Sequence, residues 1–143
     1  MARNLADRVN NEADIIDSRD VIARIAELES DLHIEQEAED PNADFEKWLT
    51  RVANYDDADV AELLVLRELQ EQAVAYSDWR HGETLIRDSY FEQYAQELAE
   101  DIGAINRDAT WPNDHIHWEA AADALKADYT SVDYDGVEYW IRS

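Results

Sequence analysis

Carboxylates restrict the folds open to this chain more than any other feature. It carries 35 Asp and Glu against 12 Lys and Arg, a formal net charge of -23. An unpaired carboxylate is too costly to bury, so nearly all of these groups must stay in water. Their mutual repulsion works against compactness, and only a substantial apolar core offsets it. Such a core is available, because hydrophobic residues make up 45% of the 143 positions, with five Trp and seven Tyr. That is too apolar and too aromatic for a disordered acidic tail. A single domain of this size buries roughly 70% of its unfolded surface and needs no metal or disulfide to hold it. The lack of cysteine excludes disulfides, thiol catalysis and Cys-type zinc sites. The opening MARNLADRVNNEADIID has no apolar signal core, and no run approaches 18 apolar residues. The expectation is a cytoplasmic chain that does not span a membrane.

Residues 1–16 read as a weakly ordered polar segment, and 17–143 as one globular domain. A helix is expected from Arg19 to Leu32, with Val21, Ile22, Ile25, Leu28 and Leu32 on one stripe. Asp17 or Ser18 caps it, and Asp20 pairs with Arg24 at i, i+4. The acidic stretch Glu35 to Asp44 carries Pro41 and reads as a loop or a frayed helix end. A short helix follows from Ala43 to Ala53, with Phe45, Trp48, Leu49 and Val52 on one face. Asp56, Asp57 and Asp59 open a third helix toward Tyr76, where carboxylates suit the exposed N–H groups. Its wide apolar arc, Val60, Leu63, Leu64, Val65, Leu66 and Leu69, marks the central helix.

Gly82 to Arg87 reads as a short strand. Ser89 and Glu92 form a capping-box pattern for a helix with Phe91, Tyr94, Ala95, Leu98 and Ile102 inward, ending at Gly103. Trp118, Ala121, Ala122 and Leu125 define a fifth helix. The C-terminal TSVDYDGVEYWIR reads as a hairpin, because Asp-Gly suits a two-residue type I′ turn. That register pairs Tyr134 with Val137, Val132 with Tyr139 and Thr130 with Ile141, and sets Asp133 opposite Glu138. The expected class is α+β and mainly helical: about five helices and a small antiparallel sheet of two or three strands that includes this hairpin.

No catalytic constellation emerges. General acid chemistry needs a carboxyl with a raised pKa in an apolar cleft, and these acids fall on outer helix faces. His115 and His117, with Glu119 nearby, offer at most part of a metal site, and two exposed histidines before a helix is the simpler reading. Asp56, Asp57 and Asp59 lack the Gly and terminal Glu of a calcium loop. With three glycines there is no phosphate-cradling loop. The chain is therefore expected to be no enzyme and to use no metal or cofactor. Trp79 and Trp111, placed in loops, are the candidates for exposed contact residues.

What remains is the charge. It disfavours direct binding of nucleic acid or anionic lipid and favours a cationic partner. Duplex DNA presents one charge per roughly 3.4 Å of each strand. Acids at i, i+3 and i+4 of a helix stand about 5–6 Å apart at Cβ, and several such helices resemble that backbone in charge. The candidate contact residues are Glu27, Asp31, Glu35, Glu37, Glu39, Asp40 and Asp44; Asp56, Asp57 and Asp59; Glu92, Glu97, Glu100 and Asp101; and Asp133 with Glu138. No Lys or Arg interrupts the chain between Arg24 and Lys47.

From Asp78 onward, GETLIRDSYFEQYAQELAEDIGAI and IHWEAAADALKADYTSVDYDGVEYWIR resemble small acidic proteins encoded by phages and mobile elements. Antirestriction proteins of that kind are DNA mimics that block restriction enzymes or related defence nucleases. The resemblance covers less than half the chain and transfers no functional residue. It implies a counter-defence role in a host cytoplasm, through competitive occupancy of a basic nucleic-acid-binding protein. Two other readings stand beside it: an acidic adaptor, as a homodimer using exposed Trp and Tyr, and a salt-adapted chain whose charge only solvates it. Lysine occurs only at 47 and 126, which suits the last of these.

Overall fold

The computed structural model describes residues 5–55, 57–75, 78–106, 108 and 110–142. Helices α1 (Leu5–Arg8), α2 (Ser18–Glu39), α3 (Phe45–Val52), α4 (Ala58–Ala73), α5 (Phe91–Asp101) and α6 (Trp118–Leu125) accompany strands β1 (Ile15–Asp17), β2 (Thr84–Arg87), β3 (Tyr129–Tyr134) and β4 (Val137–Arg142). The fold is α+β and mainly helical. Its sheet is antiparallel throughout, in the order β1-β2-β4-β3.

The hairpin follows from its turn. Asp135 and Gly136 take φ of 49° and 86°, the doubly positive pair that a type I′ turn requires. The register is the expected one, with Tyr134 opposite Val137, Val132 opposite Tyr139, Thr130 opposite Ile141 and Asp133 opposite Glu138. Strand side chains alternate between faces, and that alternation divides the core. Ile16, Leu85, Val132, Tyr134, Tyr139 and Ile141 join the buried leucines of α2 and α4 with Trp48 and Leu49 of α3. Ile86 faces the other way, into a smaller cluster with Phe91, Ala95 and Ala122, rimmed by Tyr94, Tyr129 and Trp140. The sheet thus lies between an α2–α4 layer and an α5–α6 layer.

Several local expectations change. The N-terminal segment is built into the fold from residue 9 onward: Val9 and Ile16 are buried, β1 pairs with β2, and the Tyr139 hydroxyl donates to the Ala13 carbonyl at 2.6 Å. This adds a fourth strand. Two adjacent isoleucines carry no readable period, and the pairing partner lies about seventy residues away. Helix α2 runs on to Glu39 because Gln36 is buried, and its side-chain amide donates to the carbonyls of Asp40 (3.0 Å) and Ala43 (2.8 Å). Asp17 is the N-cap, accepting from the Arg19 N–H, while Ser18 is buried, donating to the Trp79 carbonyl and accepting from the Glu83 N–H.

The capping box at Ser89 and Glu92 does not form. A 3-10 turn over Asp88–Tyr90 precedes α5, and Ser89 accepts from the Arg87 guanidinium. Ile102 lies just past the end of α5 and is exposed. Trp79 is buried, with its indole N–H donating to Gln70, whereas Trp111 is 75% exposed. Helix α4 closes at Ala73, and Tyr76 lies outside the described residues.

Candidate functional site

Helices α2 and α4 lie side by side in opposite directions. Ser18, at the start of α2, bonds to Trp79, whose indole reaches Gln70 near the end of α4. At the other end, Glu35 of α2 feels the charges of Asp57 and Asp59 where α4 begins. Burial of Val21, Ile25, Leu28 and Leu32 against Val60, Leu63, Leu66 and Leu69 holds the pair together.

Arginines lock this pair at two places. Arg24 makes a two-pronged contact with Glu62, at 2.6 Å from Nε and 2.8 Å from Nη2, and also bonds to Glu27. Its side chain is 13% exposed, so the contact is shielded from water. Arg67 reaches Glu46 at 2.7 Å and Glu29 at 3.2 Å, tying α4 to both α3 and α2. The expected Asp20–Arg24 pair is replaced by these cross-helix bonds, and Asp20 instead lies 3.9 Å from Arg8. Sequence spacing along one helix cannot see a partner on another.

The acids beyond Arg24 differ. Asp31, Glu35 and Glu39 follow one another at i, i+4 and i+8, all exposed along one stripe of α2. Asp57 and Asp59 join them from the first turn of α4. Asp57 also caps that helix, accepting from the N–H groups of Asp59 and Val60. Among the described residues, none of these five has a Lys or Arg within ion-pair distance. Partial desolvation, and then the charges of Asp57, Asp59, Glu39 and Asp31, push the Glu35 carboxyl above its ordinary range. The last turn of α2 carries no basic residue to offset its dipole. The stripe from Asp31 to Glu39 covers about 12 Å of helix axis.

The remaining candidates are dispersed. Glu27 is held by Arg24, Asp40 lies 3.5 Å from Arg51, and Asp44 caps α3 by accepting from the Lys47 N–H. Glu37 is exposed two residues from Glu35, on a different side of α2. Asp56 lies outside the described residues. Glu92, Glu97, Glu100 and Asp101 belong to α5, across the sheet from the five. Glu97 there accepts from the Tyr90 hydroxyl at 2.8 Å. Asp133 and Glu138 face each other on the hairpin, and the Gln72 amide brackets the Asp133 backbone with bonds of 2.9 and 2.8 Å. The structure gathers Asp31, Glu35, Glu39, Asp57 and Asp59 into one row, and it separates the α5 and hairpin acids from it.

His115 and His117 are exposed. Among the described residues, no three His, Cys, Asp or Glu side chains are grouped to hold a metal ion. Among the same residues, no helix is long and apolar enough to cross a membrane. No family model, curated protein or solved structure matches the chain.

Proposed function

We propose that the chain is a non-catalytic inhibitor that presents its acidic row as a substitute for a phosphate backbone and occupies the basic groove of a nucleic-acid-binding protein, such as a restriction or defence nuclease. The observation that carries this reading is the row itself. Among the described residues, Asp31, Glu35 and Glu39 lie next to Asp57 and Asp59 without a cationic partner, in a chain that supplies arginines to carboxylates elsewhere on the same two helices. Five carboxylates along about 12 Å exceed the linear charge density of one DNA strand, which carries one charge per roughly 3.4 Å. Arg and Lys residues that hold phosphates make most protein–DNA contacts, so a decoy needs to satisfy only those. Release of counterions from both surfaces drives the association.

The test is capture from a bacterial lysate on the immobilised chain, washed with rising salt or with excess duplex DNA. The proposal expects nucleic-acid-binding proteins to be retained, and to be displaced both by DNA and by salt. A retained partner that duplex DNA leaves in place would make the chain an acidic adaptor instead.

A further inference from the structure

An open cavity of about 500 Å³ lies against the first turns of α4 and takes no part in the charge reading. Its apolar lining comes from Val9, Ala58, Ala61, Val65 and Tyr134. Ala58 and Ala61 alternate with Asp57, Asp59 and Glu62 along the same two turns, so the apolar hollow and the acidic row share a helix. Asp135, at the tip of the hairpin, closes the rim opposite. Tyr134 is 5% exposed, and among the described residues its hydroxyl has no hydrogen-bond partner. The hydroxyl is not shut away from solvent, so it offers the hollow a polar contact point beside its apolar wall.

The chemistry of the occupant follows from this frame. The hollow is the size of a small-ligand or side-chain pocket and is mostly apolar. Its charged wall is anionic: Asp135 and Glu62 line it beside the neutral Asn10 and Asn11, Glu62 is already neutralised by Arg24, and Asp57 and Asp59 neighbour Ala58 in the first turn of α4. A second copy of this chain would bring another net charge of -23 against it. Interfaces concentrate binding energy in an aromatic or Arg anchor inserted in a pocket and ringed by polar groups.

We infer that the cavity receives one apolar side chain of a cationic protein segment, whose Lys and Arg residues engage the carboxylates around it. This rests on the reading of the acidic row as a contact surface. It adds a requirement that DNA itself does not meet, because a phosphate backbone offers no apolar anchor. The partner is then selected among basic surfaces by having a large apolar residue set within its cluster of Lys and Arg.

Two nine-residue peptides test this, each with four arginines on either side of a central residue, Trp in one and Ser in the other. Affinities are measured by calorimetry at two salt concentrations for the wild type and for Ala61→Phe, which fills the hollow from an exposed helix position. Methyl spectra of Ala58, Ala61 and Val65 are recorded on the wild type, so the outcome does not hang on the variant folding. The expected result is about tenfold tighter binding of the Trp peptide, with methyl shifts for that peptide alone, and loss of the preference in Ala61→Phe. Equal affinities, unmoved methyls or a preference that survives in Ala61→Phe would overturn the anchor. If binding stayed salt-sensitive in that case, the acidic row would stand without it. A Trp preference that is indifferent to salt would instead remove the acidic row, and with it the cationic partner.

Discussion

The two ends of the α2–α4 pair treat the same chemistry in opposite ways. Around Arg24 and Arg67, carboxylates from three helices are drawn onto two guanidinium groups. A few turns further on, Asp31, Glu35, Glu39, Asp57 and Asp59 crowd one another with no such partner among the described residues. The packing beneath is continuous, with Leu28 and Leu32 as well buried as Leu63 and Leu66. Stability therefore does not explain the difference. At the first end, charge serves to join helices. At the second it opposes the fold, since like charges at i, i+4 and acids at a helix C-terminus both cost stability. A surface kept at a cost to folding is what the proposed contact role expects, whereas solvation alone would be served equally well by acids placed apart.

The sharpest way to break this contrast is to remove an arginine. Arg24→Ala leaves Glu62 partly buried and unpaired and should lower the unfolding free energy by about 2 kcal/mol in urea titrations. Arg67→Ala, at a more exposed site, should cost about half as much. If both are neutral, the arginines are not locks and the two ends do not differ. Neutralising the other end should act in the opposite direction. Asp31→Asn, Glu35→Gln and Glu39→Gln together should stabilise by roughly 0.5–1 kcal/mol at low salt, by relieving two i, i+4 repulsions. The gain should fade as salt is added. The smallest effect is on pH dependence. Because the folded state raises the Glu35 carboxyl above its ordinary 4.5, the folded chain binds that proton more readily than the unfolded one. Acidification toward 4.5 should therefore add stability, and Glu35→Gln should flatten that limb of the curve. Asp17 and Asp88 are shifted the other way, by hydrogen bonds from Arg19 and Trp140 respectively. Their contribution is present above the ordinary value of 3.8 and is lost as pH falls toward their lowered folded values. Melting temperatures measured across this range should pass through a maximum on the acid side of neutrality.

Much of the fold could be read from local pattern. The hairpin register followed from Asp135-Gly136, and the buried stripes of α2 and α4 from their helical period. What escaped was whatever depended on distant partners. Ile16 has no period of its own and is fixed by its pairing with β2, while Arg87 of β2 and Tyr139 of β4 hold the carbonyls of Asn11 and Ala13 before it. Gln36 reads as a polar surface residue, yet it closes the turn after α2 because two carbonyls converge on it. The capping-box letters at Ser89 and Glu92 were overridden when the strand before them fed directly into a 3-10 turn. For the candidate site, the acidic residues were visible, but their grouping was not. Which of them arginines neutralise depends on contacts between residues 24 and 62 or 29 and 67, and which lie across the sheet depends on the topology. The apolar cavity had no sequence signal, since alanines at exposed helix positions look like filler.

The central claim is that the row at the far end of α2 and α4 matters more than its share of the charge. The direct measurement is the affinity of a nona-arginine peptide for two variants with equal charge removed. One carries Asp31→Asn, Glu35→Gln and Glu39→Gln; the other carries Glu92→Gln, Asp101→Asn and Glu119→Gln, exposed positions on the α5–α6 layer. The account predicts about a tenfold loss for the first and a much smaller loss for the second. Equal losses would mean that the peptide senses only net charge, and that the row is no site.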